Sequence, residues 1–215
     1  MKLIAIIITV FITFFGISQV SYDFSIPLPP SEEKIASVEK EYFGTYKSEE
    51  ANSSYEINGK GICIISTTFT SVSREMIREN SKYTVRNGFI FGVTKDSLPC
   101  VLEKNRYHFG VLNREYLIGA KSRHILKKIS KNQYLLNYEE NGNFVPTLLT
   151  FNGNQLNVQQ FDYETGTSSF NDFKLFTSIS KNEMEFITIS PSEEEWENFN
   201  FENLIFGTAI RYLKQ

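Results

Sequence analysis

The chain has 215 residues, of which 41% are hydrophobic and 22% are charged, and its formal net charge is −3 at pH 7. This composition excludes an intrinsically disordered chain, and the mildly negative charge lacks the basic footprint of a nucleic-acid-binding protein. The length fits one folded domain.

The first eighteen residues have the layout of a secretory signal peptide. Lys2 gives a positive start, residues 3–15 form an almost unbroken apolar run, and small residues lead to Ser18, after which we expect cleavage. Gln19 would then be the new N-terminus. An uncleaved membrane anchor is the alternative, although a spanning helix needs roughly 20 apolar residues. The sequence therefore predicts an exported protein, periplasmic or extracellular, with no transmembrane span after cleavage.

Residues 19–30 contain three prolines, which lack a backbone N–H and favour extended chain, so an extended lead-in is predicted. Ser31 is a candidate N-cap for a short helix that follows it. Ile35, Val38 and Tyr42 recur there at helical spacing and would form one apolar stripe.

Beyond this helix the pattern changes to short alternating segments separated by turn signals. Four Asn-Gly dipeptides punctuate it: Asn58-Gly59, Asn87-Gly88, Asn141-Gly142 and Asn152-Gly153. Both residue types tolerate the positive φ of a type I′ turn, so each dipeptide predicts a β-hairpin. Spacings of about 8–12 residues between turns indicate one all-β domain over residues 31–215. We expect an antiparallel meander that forms a barrel or half-barrel, with a two-sheet β-sandwich as the alternative.

A second short helix is predicted near residues 191–199. Ser190 is its candidate N-cap, Pro191 suits the first helical position, and Glu193 stands where the acid of a capping box belongs. The largely apolar segment 204–213 is then expected to return to the sheet as the last strand, because a free tail of that character would aggregate.

The sequence contains no recognisable catalytic, metal-binding or cofactor-binding motif, and we expect no cofactor. His108 and His124 both fall inside strand patterns, and neither belongs to a zinc-binding spacing. Glu139 and Glu140 are adjacent on a predicted strand and so point to opposite faces, which argues against a paired-carboxylate site. The pattern favours a protein that is not an enzyme, but it leaves the question open.

Cys63 and Cys100 are the only two cysteines. They could pair as a disulfide in an oxidising compartment. Each also stands among apolar neighbours, where a free cysteine behaves as a small core residue.

Arg74, Arg78 and Lys82 recur every four residues. A helical turn would align them on one face, where they could contact an anion. The alternative is a solvated segment in which the arginines pair with Glu75 and Glu79.

Aromatic residues make up 14% of the chain. They favour pleated sheets and fill cores, but an eight-stranded barrel lined with them is also wide enough to hold one small ligand.

The segment Gly44-Thr45-Tyr46 follows the first predicted helix, and the chain then runs through meander strands to a late helix and a last strand. This order resembles the lipocalin-like barrels, whose first strand carries a Gly-x-Trp motif near a capping helix, here with Tyr in place of Trp. More generally, the chain resembles secreted proteins of Gram-negative bacteria. The lipocalin-like resemblance implies binding of a small apolar or amphipathic ligand in the interior. The alternative is a structural or interaction module of the cell envelope whose partner is another envelope protein, and an enzyme is the least favoured class.

Overall fold

The computed structural model describes residues 19–162, 176–181, 184–198 and 206–215. The predicted signal peptide, residues 1–18, lies outside the described residues. The described part contains sixteen strands, two short α-helices and one 3₁₀ turn.

The strands are β1 (Gln19–Phe24), β2 (Lys34–Ile35), β3 (Gly44–Lys47), β4 (Ser53–Asn58), β5 (Gly61–Ser73), β6 (Thr84–Arg86), β7 (Phe89–Phe91), β8 (Leu98–Glu103), β9 (Arg106–Ile118), β10 (Ile125–Lys128), β11 (Gln133–Glu140), β12 (Asn143–Asn152), β13 (Gln155–Gln160), β14 (Phe176–Lys181), β15 (Met184–Ile189) and β16 (Ile210–Lys214). The α-helices are α1 (Arg74–Glu79) and α2 (Glu193–Asn198), and the 3₁₀ turn is Lys40–Tyr42.

All sixteen strands belong to one sheet, whose main path runs β14-β15-β1-β12-β13-β16-β3-β4-β5-β9-β8-β7-β6. On a branch from this path, β11 pairs with both β12 and β10, and β2 pairs with β10. Every pairing is antiparallel except the parallel pair of β1 and β15. The sheet curls but does not close, because no described strand joins β9 to β2 or β10. The prediction of an all-β antiparallel meander or half-barrel is confirmed.

A first core fills the inside of the curled sheet, and it is rich in aromatic rings. Phe151 of β12 stands at its centre. The ring of Tyr42 stacks on Phe151 with centroids 4.4 Å apart, while those of Tyr134 and Tyr46 meet it edge-on at 5.7 and 5.9 Å. These rings pack directly on one another.

A second core covers the opposite face of β11 and β12. Successive strand residues point to opposite faces, so Leu136 faces the first core while Leu135 faces the second. The cover comes from the N-terminal segment, with Phe24 and Leu28 fully buried, and from Trp196 of α2. This is why the residues of β11 and β12 form apolar runs rather than an alternating pattern.

The predicted N-terminal helix is present only as the 3₁₀ turn. Lys34–Ile35 forms β2 instead, because it pairs with β10, and this ladder holds the chain extended where a helix had been expected. The apolar stripe nevertheless faces inward, since Val38 and Tyr42 are buried in the first core and Ile35 packs against it.

The predicted late helix is confirmed as α2, but its cap lies two residues further along the chain. The hydroxyl of Ser192, rather than that of Ser190, accepts the N–H of Glu195 at 3.1 Å. The Glu195 carboxylate in turn accepts the Ser192 N–H at 3.0 Å, which completes the capping box. The predicted last strand is shorter than expected and begins at Ile210, and residues 199–205 lie outside the described part.

Candidate functional site

A sheet extension projects beyond the two cores, and we call it the arm. It consists of the outer halves of β5 and β9, which are 13 residues each, together with β6, β7, β8 and α1. One face of the arm is packed around Ile90, which is fully buried, and Phe109, which is nearly so, while Leu102 at its margin is 44% exposed. The arm is therefore an ordered sheet with its own apolar interior.

The other face of the arm, which we call the outer face, points away from both its own interior and the first core. Residues opposite each other on neighbouring strands share a face. Phe69 pairs with Gly110, two residues from Leu112, and Val101 pairs with His108, so these side chains all lie on the outer face. Pro99 lies two residues from Val101 and pairs with Phe89, so Phe89 of β7 also lies on the outer face.

Five large apolar side chains are exposed on the outer face, and a sixth, Tyr116, continues it along the inner half of β9: Phe69 (71% exposed), Val101 (70%), Leu112 (69%), Tyr116 (55%), Phe89 (41%) and Phe91 (41%). Monomeric proteins rarely expose contiguous apolar patches of more than a few hundred Å² without a function. The outer face is therefore the main candidate for a binding surface.

One edge of β9 is open beside the outer face. β9 pairs with β5 along its whole length, but with β8 only as far as Phe109. From residue 110 to residue 118 no described strand pairs with the second edge, which we call the open edge. Asn113, Arg114 and Glu115 are exposed along it. An unpaired edge presents a row of free backbone donors and acceptors.

A groove of about 380 Å³ lies at the foot of the open edge, between β9 and β2, and we call it the basic groove. Its rim carries Lys34, Lys60, Arg123 and His124, and its floor includes Ile35, Ile118 and Leu126. None of the described residues that line it is acidic. In a chain of net negative charge, this local excess of cations favours an anionic group.

His124 bridges the basic groove and the first core. Its Nδ1 accepts the backbone N–H of Glu139 at 3.0 Å, which places the proton of the neutral imidazole on Nε2. Nε2 lies 4.0 Å from the Glu115 carboxylate, and the ring lies against Tyr138 with centroids 4.9 Å apart. Burial, followed by the nearby Glu115 carboxylate, raises the pKa of Tyr138 to about 12. The arrangement orients one imidazole between a carboxylate and a phenol ring.

The other predicted site residues are dispersed. Arg74 and Arg78 are exposed on α1, but α1 ends at Glu79, so Lys82 lies beyond the helix and its ammonium sits over the Tyr83 ring at 5.5 Å. The predicted anion contact stays a prediction. His108 is exposed on the outer face of β9.

Cys63 and Cys100 are free thiols. Cys63 pairs with Tyr116 and Cys100 with Phe109, so the two thiols lie on opposite faces and seven positions apart along β9. At about 3.4 Å per residue this separation is far beyond the reach of a disulfide, so of the two alternatives the structure has the free thiols. The predicted cleavage site falls between Ser18, outside the described residues, and Gln19, the first residue of β1.

The sequence pattern does not predict the open edge or the outer face. A signal was present for Phe69, which stands in a predicted strand between Thr68 and Thr70. The alternation of side chains along a strand, however, does not show which of the two faces of the sheet is exposed to solvent.

No family model, curated protein or solved structure matches the chain. Over the described residues, no group of three or more potential metal ligands is present. In the same part of the chain, no helix is long and apolar enough to cross a membrane.

Proposed function

We propose that this protein is an exported interaction module of the cell envelope that binds a partner protein through the outer face of the arm. The six exposed apolar side chains on that one face carry the proposal. With roughly 150–250 Å² per aromatic side chain, they offer several hundred Å² of apolar surface, close to what one partner contributes to a standard interface. The packed opposite face supports the surface in a fixed shape, which lowers the entropic cost of binding.

The packing of the first core favours this function over a ligand held in the interior. Tyr42, Tyr46 and Tyr134 fill the space around Phe151 with ring contacts. A lipocalin-like fold is part of the proposal, and Tyr46 supports it, because it stands at the Trp position of the motif and is fully buried. An apolar ligand in the interior stays a prediction without support from this packing.

Photo-crosslinking in the cells that make the protein tests the proposal. A photoreactive residue replaces Phe69 on the outer face or, as matched control, Leu213, which is 48% exposed on β16. We expect one reproducible protein adduct at position 69 and none at position 213. The adduct should disappear when Val101→Thr and Leu112→Ser are added, while the melting temperature stays within a few degrees. Equal adduct yields at both positions, or no adduct at position 69, would contradict the proposed function.

A further inference from the structure

We propose that the partner is bound by strand addition: an extended segment of it pairs with the open edge of β9 and has acidic residues at the end nearest the basic groove. This inference rests on the proposed function and specifies how its surface is used.

The backbone of β9 supplies the first part of the argument. The ladder to β5 holds residues 110–116 extended, and a register shift between Tyr116 and Ile118 follows at the foot, where the Leu117 carbonyl accepts the Ser122 hydroxyl. No described strand pairs with the second edge of residues 110–116, and seven residues is the length of an ordinary strand. An extended peptide placed there would form main-chain hydrogen bonds without any rearrangement of the sheet, as in other cases of β-strand addition.

The side chains along the edge define what the added strand carries. Leu112 and Tyr116 are exposed on the outer face, and Phe69 of the neighbouring strand lies beside Leu112. Arg114 stands between them on the same face, but its guanidinium already pairs with Glu56 at 3.0 Å. Residues on the outer side of an added strand would meet these apolar groups, so that side should be apolar or aromatic at every second position.

The charges at the foot of the open edge determine the direction of the added strand. The foot of the edge, at residue 118, opens into the basic groove. The acids closest to this end have partners within reach, since Glu115 faces His124 and Glu139 faces Arg123, each at 4.0 Å. Antiparallel pairing is slightly more stable than parallel pairing, and it places the N-terminus of the added segment at this foot. Acidic residues there would meet Lys34 and Lys60, the groove lysines that take part in no ion pair of the described residues.

The same charges disfavour a second copy of the chain as the occupant. Two copies paired antiparallel through their open edges would bring the basic groove of each next to the arm of the other. The arm presents Arg106 near that point, so it would face the lysines of the other copy's basic groove.

The test uses a synthetic nine-residue peptide with two glutamates at the N-terminus, followed by alternating threonine and valine or phenylalanine, and a fluorophore at the C-terminus. Fluorescence anisotropy measures its binding to the mature protein. Two further peptides carry N-methyl groups, one on each set of alternate backbone amides. Only one set points toward β9 in an added strand, so one methylated peptide should lose binding more than tenfold while the other binds like the parent.

Charge is tested separately. Lysines in place of the two glutamates should weaken binding about tenfold, and the double variant Lys34→Gln, Lys60→Gln, which removes two lysines of the basic groove, should weaken it about fivefold. The matched control, Lys95→Gln with Lys104→Gln, removes two exposed charges elsewhere on the arm and should change affinity less than twofold.

Three results would overturn strand addition: no saturable binding of the parent peptide, equal binding of both methylated peptides, or sedimentation of the protein alone as a dimer that competes with the peptide. If any of these occurs while position 69 still yields its adduct, the proposed function stands and only the mode of binding fails. If position 69 yields no adduct, the proposed function itself fails.

Discussion

At the scale of single residues, Asn137 of β11 fixes the N-terminal segment to the sheet. It is fully buried, its side-chain oxygen accepts the N–H of Leu28, and its amide donates to the Leu28 carbonyl, both at 2.8 Å. The nearby Lys127 is also buried, and its ammonium donates to the carbonyls of Pro27 and Pro29. Two polar side chains inside the sheet thus hold residues 25–30, which belong to no strand.

Replacing Asn137 with leucine should therefore destabilise the protein by about 2–6 kcal/mol, because it leaves two buried backbone groups unpaired at about 1–3 kcal/mol each. Urea unfolding measures the loss. Asn52→Leu, at an exposed position, is the control and should stay within about 0.5 kcal/mol. Equal effects of the two substitutions would show that the Leu28 contacts do not stabilise the fold.

Ionisation of Tyr138 should lower the stability of the protein at alkaline pH. Its pKa is raised from 10.0 to about 12, with burial as the largest cause. As pH rises from 10 to 12, the unfolded chain loses this proton while the native state keeps it, so stability falls over that window. In urea unfolding from pH 8 to 12, the free-energy difference between wild type and Tyr138→Phe should shrink above pH 10. A constant difference would show that the hydroxyl titrates alike in both states.

At the scale of elements, α2 shows how a sequence pattern can predict a helix and misplace its cap. Ser190 and Ser192 each stand three residues before a glutamate, and residues 193–195 are all glutamate. Both registers satisfy the capping-box pattern equally. Packing decides between them, since burial of Pro191 and Trp196 sets where the chain leaves the second core.

Ser192→Ala should cost about 1 kcal/mol, the usual effect of losing an N-cap, while Ser190→Ala should cost less than about 0.5 kcal/mol. Trp196 is the only tryptophan of the chain, so its fluorescence during unfolding reports on this helix directly. A larger effect of Ser190→Ala than of Ser192→Ala would show that Ser190 is the N-cap after all.

The hairpins agree more closely with the sequence. Asn87 and Gly88 have φ of 50° and 78°, and Asn141 and Gly142 have φ of 55° and 92°, as a type I′ turn requires. Asn152-Gly153 turns one residue later, because Asn152 pairs with Gln155 and the loop is Gly153-Asn154. The dipeptide predicts that a hairpin forms, but its register follows from the strands around it.

At the scale of the whole molecule, β16 joins the two halves of the sheet. It pairs with β13 on one side and with β3 on the other. The buried ring of Tyr212 packs edge-on against Tyr55 at 4.9 Å, and its hydroxyl lies 3.0 Å from that of Ser53. The last strand of the chain therefore completes a sheet whose other members come from far earlier in the sequence.

A chain truncated after Asn203 should consequently fail to fold, as measured by circular dichroism and thermal melting. Loss of the strand leaves the edges of β13 and β3 unpaired and removes side chains worth roughly 1.5–3 kcal/mol each when fully buried. Two point variants test whether the side chains of the strand, and not only the length of the chain, stabilise the fold. Tyr212→Ala should cost about 3–5 kcal/mol, and Ile210→Ala, at a position that is 37% exposed, should cost less than that. An unchanged cooperative melt of the truncated chain would show that β16 is dispensable.

The sequence by itself determined the local properties of this protein. Alternating residues and Asn-Gly dipeptides predict strands and hairpins because side-chain periodicity and positive φ are set by neighbouring residues. The tertiary structure alone decided which ladders span the chain, such as β2 with β10 and β16 with β3, and which edge stays open. Leu112 and Tyr116 look like core residues in the sequence. They are exposed on β9 because no described element packs on that face of the sheet, and packing between distant elements leaves no trace in local periodicity.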